Sequence, residues 1–325
     1  MMAGDATGRV TWLVAGWHVA AELGPFLAAY QNLTDTADEL VLAVGGTDGS
    51  LEHARAFQRA HPEVVLKVVE QVRSMGKQGA LAAAWPQVTG DVIYLTDMDC
   101  RPTDRVARPL LAWIQRGCDA ATGSIRPLPA QETMPLIRVQ WAALRARDRG
   151  GASPSRGLTG ANTAITRAMI ERVGAFDWDA PTGTDYTLAK RVLASGGSIW
   201  REPASEMPTR FPERVGRYVA KQARWLGTVW RHGRRYGAWD EVRAVGRTLA
   251  MPWVAALLLA AGWWWPGAWG VLGLLVALAL RRRAQYAGWA GVPVGTVTLM
   301  ASVGVDCLAA LEAMRQVAVR RVPWT

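Results

Sequence analysis

The chain has 325 residues, half of them hydrophobic, and a formal net charge of +10. That length holds one large domain or two modest ones. Three scattered cysteines, Cys100, Cys118 and Cys307, argue against a disulfide framework or a zinc site and fit a reducing compartment. The basic balance would suit nucleic acid, but no nucleic-acid-binding motif accompanies it, so none is expected as a partner.

Residues 1–8 are polar, and the apolar run that follows is too short for the core of a signal peptide. That run, residues 10–15, ends at Gly16 and predicts a buried strand. Residues 20–30 predict a helix. Residues 39–44 predict a second strand, broken by Gly45-Gly46-Thr47-Asp48-Gly49-Ser50. Residues 51–60 predict a helix stopped by His61-Pro62, and residues 64–69 a third strand. Residues 77–85 predict a small-residue helix. Residues 91–95 predict a fourth strand leading into Asp97-Met98-Asp99. Strands alternating with helices of about ten residues imply a parallel α/β sheet covered on both faces. Ligands of such sheets sit beyond the carboxyl ends of the strands. Gly16, residues 45–50 and residues 97–99 all fall there.

After residues 119–125 the pattern becomes mixed. Pro127 and Pro129 break the chain, residues 134–147 predict an amphipathic helix, and residues 150–160 predict a Gly-, Ser- and Arg-rich loop. Residues 167–173 and 186–195 predict helices. Residues 211–236 are strongly basic, with Tyr218, Trp225, Leu226 and Trp230 interleaved. That is the pattern of a helix lying in a membrane interface.

Residues 248–280 carry no charge. The run is long for one span of about 20 residues and short for two. Trp263-Trp264-Trp265-Pro266-Gly267 in its middle combines interfacial tryptophans with a turn signal. Arg243 and Arg247 precede the run and Arg281, Arg282 and Arg283 follow it. Placing both basic flanks on the cytoplasmic side predicts a helical hairpin, with one tilted, kinked helix as the alternative. Residues 289–311 contain Pro293 and Asp306, with Arg315, Arg320 and Arg321 near or beyond their end. They predict an in-plane or re-entrant element, with a third span as the alternative. The expected organisation is a cytosolic catalytic domain (1–205), a basic amphipathic region (206–247) and a membrane region (248–325).

Asp97 and Asp99, two residues apart at a strand end, can converge on one hard divalent cation. In a chain of this composition about one such triplet is expected by chance. Asp177-Trp178-Asp179 is a second example, but it lies in a loop-like stretch. The backbone amides of residues 45–50 could face a nucleotide or form an ordinary turn; no Walker lysine is present. Asp185, in Thr182-Gly183-Thr184-Asp185-Tyr186, reads either as a helix N-cap or as a carboxylate that takes a proton from a hydroxyl. Lys221-Gln222-Ala223-Arg224-Trp225 offers an ammonium, an amide, a guanidinium fork suited to phosphate, and an indole suited to a sugar ring. The plainer reading is a basic interfacial helix with a tryptophan anchor.

Taken in this order, these residues resemble the membrane-bound members of glycosyltransferase family 2. The resemblance implies a GT-A fold: a Rossmann-like mixed, mainly parallel sheet flanked by helices, followed by an interfacial helix and transmembrane helices. Residues 10–15 with Gly16 resemble the family's opening strand, which assigns Ala15 and Gly16 to the nucleotide. Gly46-Thr47-Asp48-Gly49-Ser50 resembles its second nucleotide-binding turn, which assigns Gly46 and Asp48. Gly76-Lys77-Gln78-Gly79 resembles its Gly-Lys helix start, and Gly160-Ala161-Asn162 its acceptor-side turn. Residues 221–225 resemble Q-x-x-R-W. The implied donor is a nucleotide-sugar, read as a UDP-sugar, with Mg²⁺ or Mn²⁺ and inversion at the anomeric carbon.

Three positions depart from the family pattern. Ala43 and Val44 stand where an acidic residue often meets the base or ribose. Thr184 replaces a glutamate before Asp185. Lys221 takes the glutamine position, with Gln222 one residue late.

The expected chemistry is a single in-line displacement. Asp185 takes the acceptor proton, Asp97 and Asp99 hold the metal, Arg224 adds positive charge at the diphosphate, and Gln222 and Trp225 shape the acceptor side. A hairpin and one further element cannot enclose a polymer channel, so transfer to a lipid, lipid-linked or glycan acceptor at the cytoplasmic membrane face is expected, with membrane lipids as neighbours. The alternatives are a polysaccharide synthase working as an oligomer, a nucleotidyltransferase, and a catalytically silent membrane scaffold.

Overall fold

The computed structural model describes residues 8–178 and 182–318. Asp179, Arg320 and Arg321 lie outside them. The described chain divides into two units. The first comprises residues 1–126 and 150–210, the second residues 127–149 and 211–325.

The first unit begins with β1 (Val10–Trp17), α1 (Ala20–Tyr30), β2 (Glu39–Gly45), α2 (Ser50–Ala60), β3 (Leu66–Gln71), α3 (Gly76–Ala84) and β4 (Val92–Asp97). The four strands pair in parallel in the order β3-β2-β1-β4. Val10 to Val14 are buried without interruption, as in a strand covered on both faces. Alternate residues serve opposite cores. Trp12 and Val14 pack with Leu23, Phe26 and Leu27 of α1, whereas Leu13 packs with Ala80, Leu81 and Ala84 of α3. Each large side chain buried in this way contributes about 1.5–3 kcal/mol.

The sequence reading gave no elements for three later segments. One is α4 (Asp104–Gln115), which follows β4 and buries Val106, Leu110 and Ile114. Next come β5 (Ala120–Pro127) and the short β6 (Ser153–Pro154). The second unassigned segment is β7 (Thr163–Thr166), inserted antiparallel between β4 and β5. It is followed by α6 (Arg167–Arg172) and α7 (Thr184–Ala194). The third is β8 (Ile199–Thr209), which completes an eight-stranded sheet of order β3-β2-β1-β4-β7-β5-β8-β6.

The second unit is helical. It contains α5 (Pro135–Arg147), α8 (Val215–Arg235), α9 (Trp239–Ala261), α10 (Gly267–Ala290) and α11 (Thr296–Ala318). α5 falls here rather than with the sheet because it packs on α10, with Ala142 against Ala287 and Ala290. α8 packs most extensively on α11, and Ala223, Leu226 and Val229 are buried. Its apolar side is therefore spent within the unit.

α9 and α10 are joined through residues 262–266, where the hairpin turn was expected. α9 starts earlier than the uncharged run, and α10 continues through Arg281, Arg282 and Arg283. By length and composition, α9 and α11 could each cross a membrane. Residues 289–311 begin at the end of α10 and pass through residues 291–295. Most of residues 289–311 belong to α11, one continuous helix, and Asp306 within it is ion-paired with Arg283 and accepts a hydrogen bond from the Tyr218 hydroxyl (2.7 Å). Those partners let an apolar helix carry a carboxylate.

Candidate active site

The first unit gathers its polar side chains at the carboxyl ends of β1, β2 and β4. Ala15 is the register partner of both Ala43 and Asp97, so the end of β1 lies between the other two. From Asp97 to Cys100 burial alternates. Met98 and Cys100 enter the core, while Asp97 and Asp99 remain half-exposed. β4 ends at Asp97, and residues 98–99 form a turn in which the Cys100 amide donates to the Asp97 carbonyl (3.2 Å), so both carboxylates stand at the strand end. Burial, together with Asp99 and Asp97, pushes the Cys100 thiol up to about 12. It is a neutral core thiol, not a nucleophile.

Lys77, near the start of α3, reaches this strand end. Its ammonium is ion-paired with Asp97 and donates to the Gly160 carbonyl (3.0 Å). Burial opposes the Lys77 charge, but Asp97, with Asp185 and Cys100 behind it, outweighs burial and holds the ammonium above the ordinary lysine range.

Asp185 stands in the first turn of α7. It is not the N-cap: that position is Gly183, in the left-handed region with φ of 70°. The Asp185 carboxylate instead accepts from the Tyr186 amide (2.9 Å). It faces a cleft lined by Lys77, Gly160 and the apolar side chains Leu81, Leu95, Leu158 and Leu188. Burial among them raises its pKa. Lys77 and the backbone amides of Tyr186 and Gly160 work the other way, and Asp97 adds to the rise. A carboxyl with a raised pKa is suited to general base work.

Other predicted residues have different places. Gly16 is closely packed: a Cβ there would lie 2.7 Å from a Val19 methyl. Gly46 has φ of 119°, and a Cβ there would lie 2.2 Å from the His18 ring. Asp48 is engaged within the fold. It accepts from the Ala20 amide (3.0 Å), the Ser50 amide (3.2 Å) and the Ser50 hydroxyl (2.6 Å), tying the turn to the start of α1.

Ala161 is buried, and Asn162 is wholly so. The Asn162 amide nitrogen donates to the carbonyls of Ser124 (2.9 Å) and Ser205 (3.0 Å), and its oxygen accepts from the Tyr94 hydroxyl (2.5 Å). Its hydrogen bonds are spent joining β4, β5 and β8.

Three side chains missed in the sequence also belong to this edge. Gln71, at the end of β3, donates to the carbonyls of Gly16 (3.1 Å) and Ala43 (2.7 Å). Trp17 and His18 place their ring centroids 5.2 Å apart beside Gly45 and Gly46. The available signal was a pair of aromatics directly after a buried strand.

Residues 221–225 lie in α8, in the second unit. Lys221, Arg224 and Trp225 are three and four residues apart and share a face, and Trp225 is 53% exposed. Gln222 is two residues from Arg224, so it projects from a nearly opposite side. Three residues separate Gln222 from Trp225, so those two are neighbours on the helix, and it is Arg224 from which Gln222 is parted. Lys221 also lies over the Phe211 ring, 5.8 Å from its centroid.

Asp97 and Asp99 fit a hard divalent cation. Both are half-exposed oxygen donors at a strand end, and a cation, Lys77, already sits against one of them. No cluster of three or more His, Cys, Asp or Glu occurs among the described residues. The rest of such an ion's shell would therefore come from diphosphate and water, as is usual for Mg²⁺.

Residues 8–228 match the profile of the family described as Glycosyltransferase like family 2. The chain belongs to that family. No curated protein sequence matches it. Among solved structures it is similar to the mannosyltransferase PcManGT from Pyrobaculum calidifontis in complex with GDP-Man and Mn²⁺. The TM-score is 0.68 at 21% identity, covering 98% of this chain and 89% of that one. It also matches glucosyl-3-phosphoglycerate synthase from Mycobacterium tuberculosis in complex with Mn²⁺, UDP and glucosyl-3-phosphoglycerate. There the TM-score is 0.46 at 17% identity, covering 69% and 79%. The sheet order and the match over nearly the whole chain agree with the GT-A fold expected for this glycosyltransferase.

Proposed function

We propose that this glycosyltransferase moves a sugar from a nucleotide-sugar donor to a lipid, lipid-linked or glycan acceptor at the cytoplasmic face of a membrane, with inversion. The observation that carries the reading is the cleft lined by Asp185, Lys77 and Gly160, from which the Lys77 ammonium reaches out to pair with Asp97 at the end of β4. It sets a desolvated base beside a pair of metal-binding carboxylates.

In this reading Asp185 accepts the proton of the acceptor hydroxyl as that oxygen attacks the anomeric carbon. The leucine-walled cleft excludes water from the proton transfer. Lys77 holds Asp97 and the Gly160 turn in register with the base. Asp97 and Asp99 would hold Mg²⁺ or Mn²⁺, which when bound there would neutralise the departing diphosphate. The similar PcManGT structure contains Mn²⁺ and GDP-Man, which supports a metal and a nucleotide-sugar and makes a guanine base as reasonable as uracil. On the second unit, Lys221, Arg224 and Trp225 offer charge and an indole face to an acceptor. α9 and α11 are long and apolar enough to anchor the chain in a bilayer.

The test is thermal unfolding of the full chain with a panel of UDP- and GDP-sugars, with and without Mn²⁺. One donor should stabilise only when the metal is present, and turnover should release nucleoside diphosphate. Release of pyrophosphate, or metal-dependent binding without turnover on any acceptor, would contradict the proposal.

A further inference from the structure

The positive charge of this chain is not shared between its two units. Residues 127–149 and 211–325 carry nineteen lysines and arginines against seven aspartates and glutamates, a formal +12; the first unit carries eighteen against twenty, a formal −2. Much of the excess lies on α8. Arg214, Arg217, Lys221, Arg224, Arg231 and Arg235 recur at intervals of three, four and seven residues, which places them along one side of the helix. The stripe is about 31 Å long at a rise of about 1.5 Å per residue. No acidic residue occurs between Glu213 and Asp240. Among the described residues, Arg214, Arg217, Arg224 and Arg231 form no ion pair.

Like charges three or four residues apart on a helix repel one another. A stripe of this length, unrelieved by acids, calls for a row of anions. A single diphosphate would meet two or three of the six cations and leave the rest. The same unit supplies the companion features of a bilayer surface. Trp225 is 53% exposed beside the stripe, Trp263 and Trp264 are 86% and 81% exposed between α9 and α10, and Leu257 and Leu274 are exposed along those two helices. Tryptophan concentrates at bilayer interfaces, and arginine beside a membrane segment is drawn to anionic headgroups.

We propose that the basic face of α8 docks on the phosphate layer of an anionic phospholipid bilayer and selects anionic over zwitterionic lipid around the protein. This rests on the membrane-face reading above and names the chemistry of that membrane. The apolar side of α8 is covered by its own unit, so the attraction is electrostatic and sensitive to salt.

The full chain would be reconstituted in phosphatidylcholine bilayers containing trace spin-labelled phosphatidylglycerol or spin-labelled phosphatidylcholine. The motionally restricted fraction of each label gives their relative association. The wild type should favour phosphatidylglycerol by about fivefold or more at low salt, since one such cation alone is worth about fivefold. Arg217→Gln with Arg231→Gln should lower the preference severalfold, and molar salt should bring it close to one. Arg217→Lys with Arg231→Lys should keep it, which separates lost charge from misfolding.

Equal association in the wild type, or a preference undiminished in the double glutamine variant, would overturn the proposal. So would its loss on adding inorganic diphosphate at matched ionic strength, which would assign the stripe to a soluble phosphate. Donor turnover is measured on the same samples. Selectivity without turnover supports this proposal and counts only against the transfer reading.

Discussion

Gly160 stands directly against Asp185. A side chain at position 160 would place its Cβ 3.1 Å from the Asp185 Cβ and 3.4 Å from its Oδ2. The Gly160 carbonyl also receives the Lys77 ammonium, so little room is left to adjust. Gly160→Ala should displace the Asp185 carboxylate by a few tenths of an ångström and lower kcat about tenfold. Donor affinity, read by metal-dependent thermal shift, should stay within about twofold of the wild type. An unchanged kcat would show that the carboxylate position is not critical.

Asn162 separates a structural from an acceptor-binding role. Asn162→Ala would leave the Tyr94 hydroxyl and the carbonyls of Ser124 and Ser205 without their buried partner. Stranded buried polar groups cost about 1–3 kcal/mol each, so a loss of about 3 kcal/mol or more is expected in denaturant unfolding. The KM for the acceptor, measured on the folded fraction, should be unchanged. A raised KM with normal stability would support the acceptor role.

The environment of Asp185 sets a pH dependence. Its folded pKa is raised, chiefly by burial, and Lys77 pulls it back down. Asp185 acts in its ionised form, so activity should fail on the acid side at a higher pH than an ordinary aspartate would give. Lys77→Met removes the opposing charge and should move that acid limb higher still. The midpoint of the kcat/KM profile is the readout, because the substitution also disturbs Asp97. A midpoint that stays put or falls would separate Lys77 from Asp185.

Asp99 tests the metal site more cleanly than Asp97, which also holds Lys77. Asp99→Asn should reduce turnover about a hundredfold or more, the scale of several kcal/mol of charge stabilisation. It should also remove the Mn²⁺ dependence of donor-induced stabilisation. Chelation of the wild type should give the same two effects. A variant with full Mn²⁺-dependent stabilisation would clear Asp99 of metal binding.

The parts of this fold that were legible in the sequence are those whose burial leaves a periodic trace. β1, β2 and β4 are continuous apolar runs because helices cover both sides of the sheet, and Trp263 to Gly267 marks the break between α9 and α10. β8 was hidden because Pro203, Pro208 and several polar residues give it the composition of a loop. β7 has only four residues and shows no period of its own. Within the site, the strand-end position of Asp97 and Asp99 could be inferred locally. The cleft around Asp185 could not, because Leu81, Leu95, Leu158 and Leu188 come from separate segments. The hydrogen bonds of Asn162 were hidden for the same reason: its partners, Tyr94, Ser124 and Ser205, are distant in sequence.

The most direct measurement is transfer by Asp185→Asn, read alongside its metal-dependent donor binding and its melting temperature. A buried carboxyl with a raised pKa costs stability when ionised at neutral pH, so the neutral amide should leave the fold intact. The variant should bind donor with Mn²⁺ as the wild type does and lose transfer by about a thousandfold or more. Transfer near the wild-type rate in a folded, donor-binding Asp185→Asn protein would contradict the assignment of Asp185 as the base.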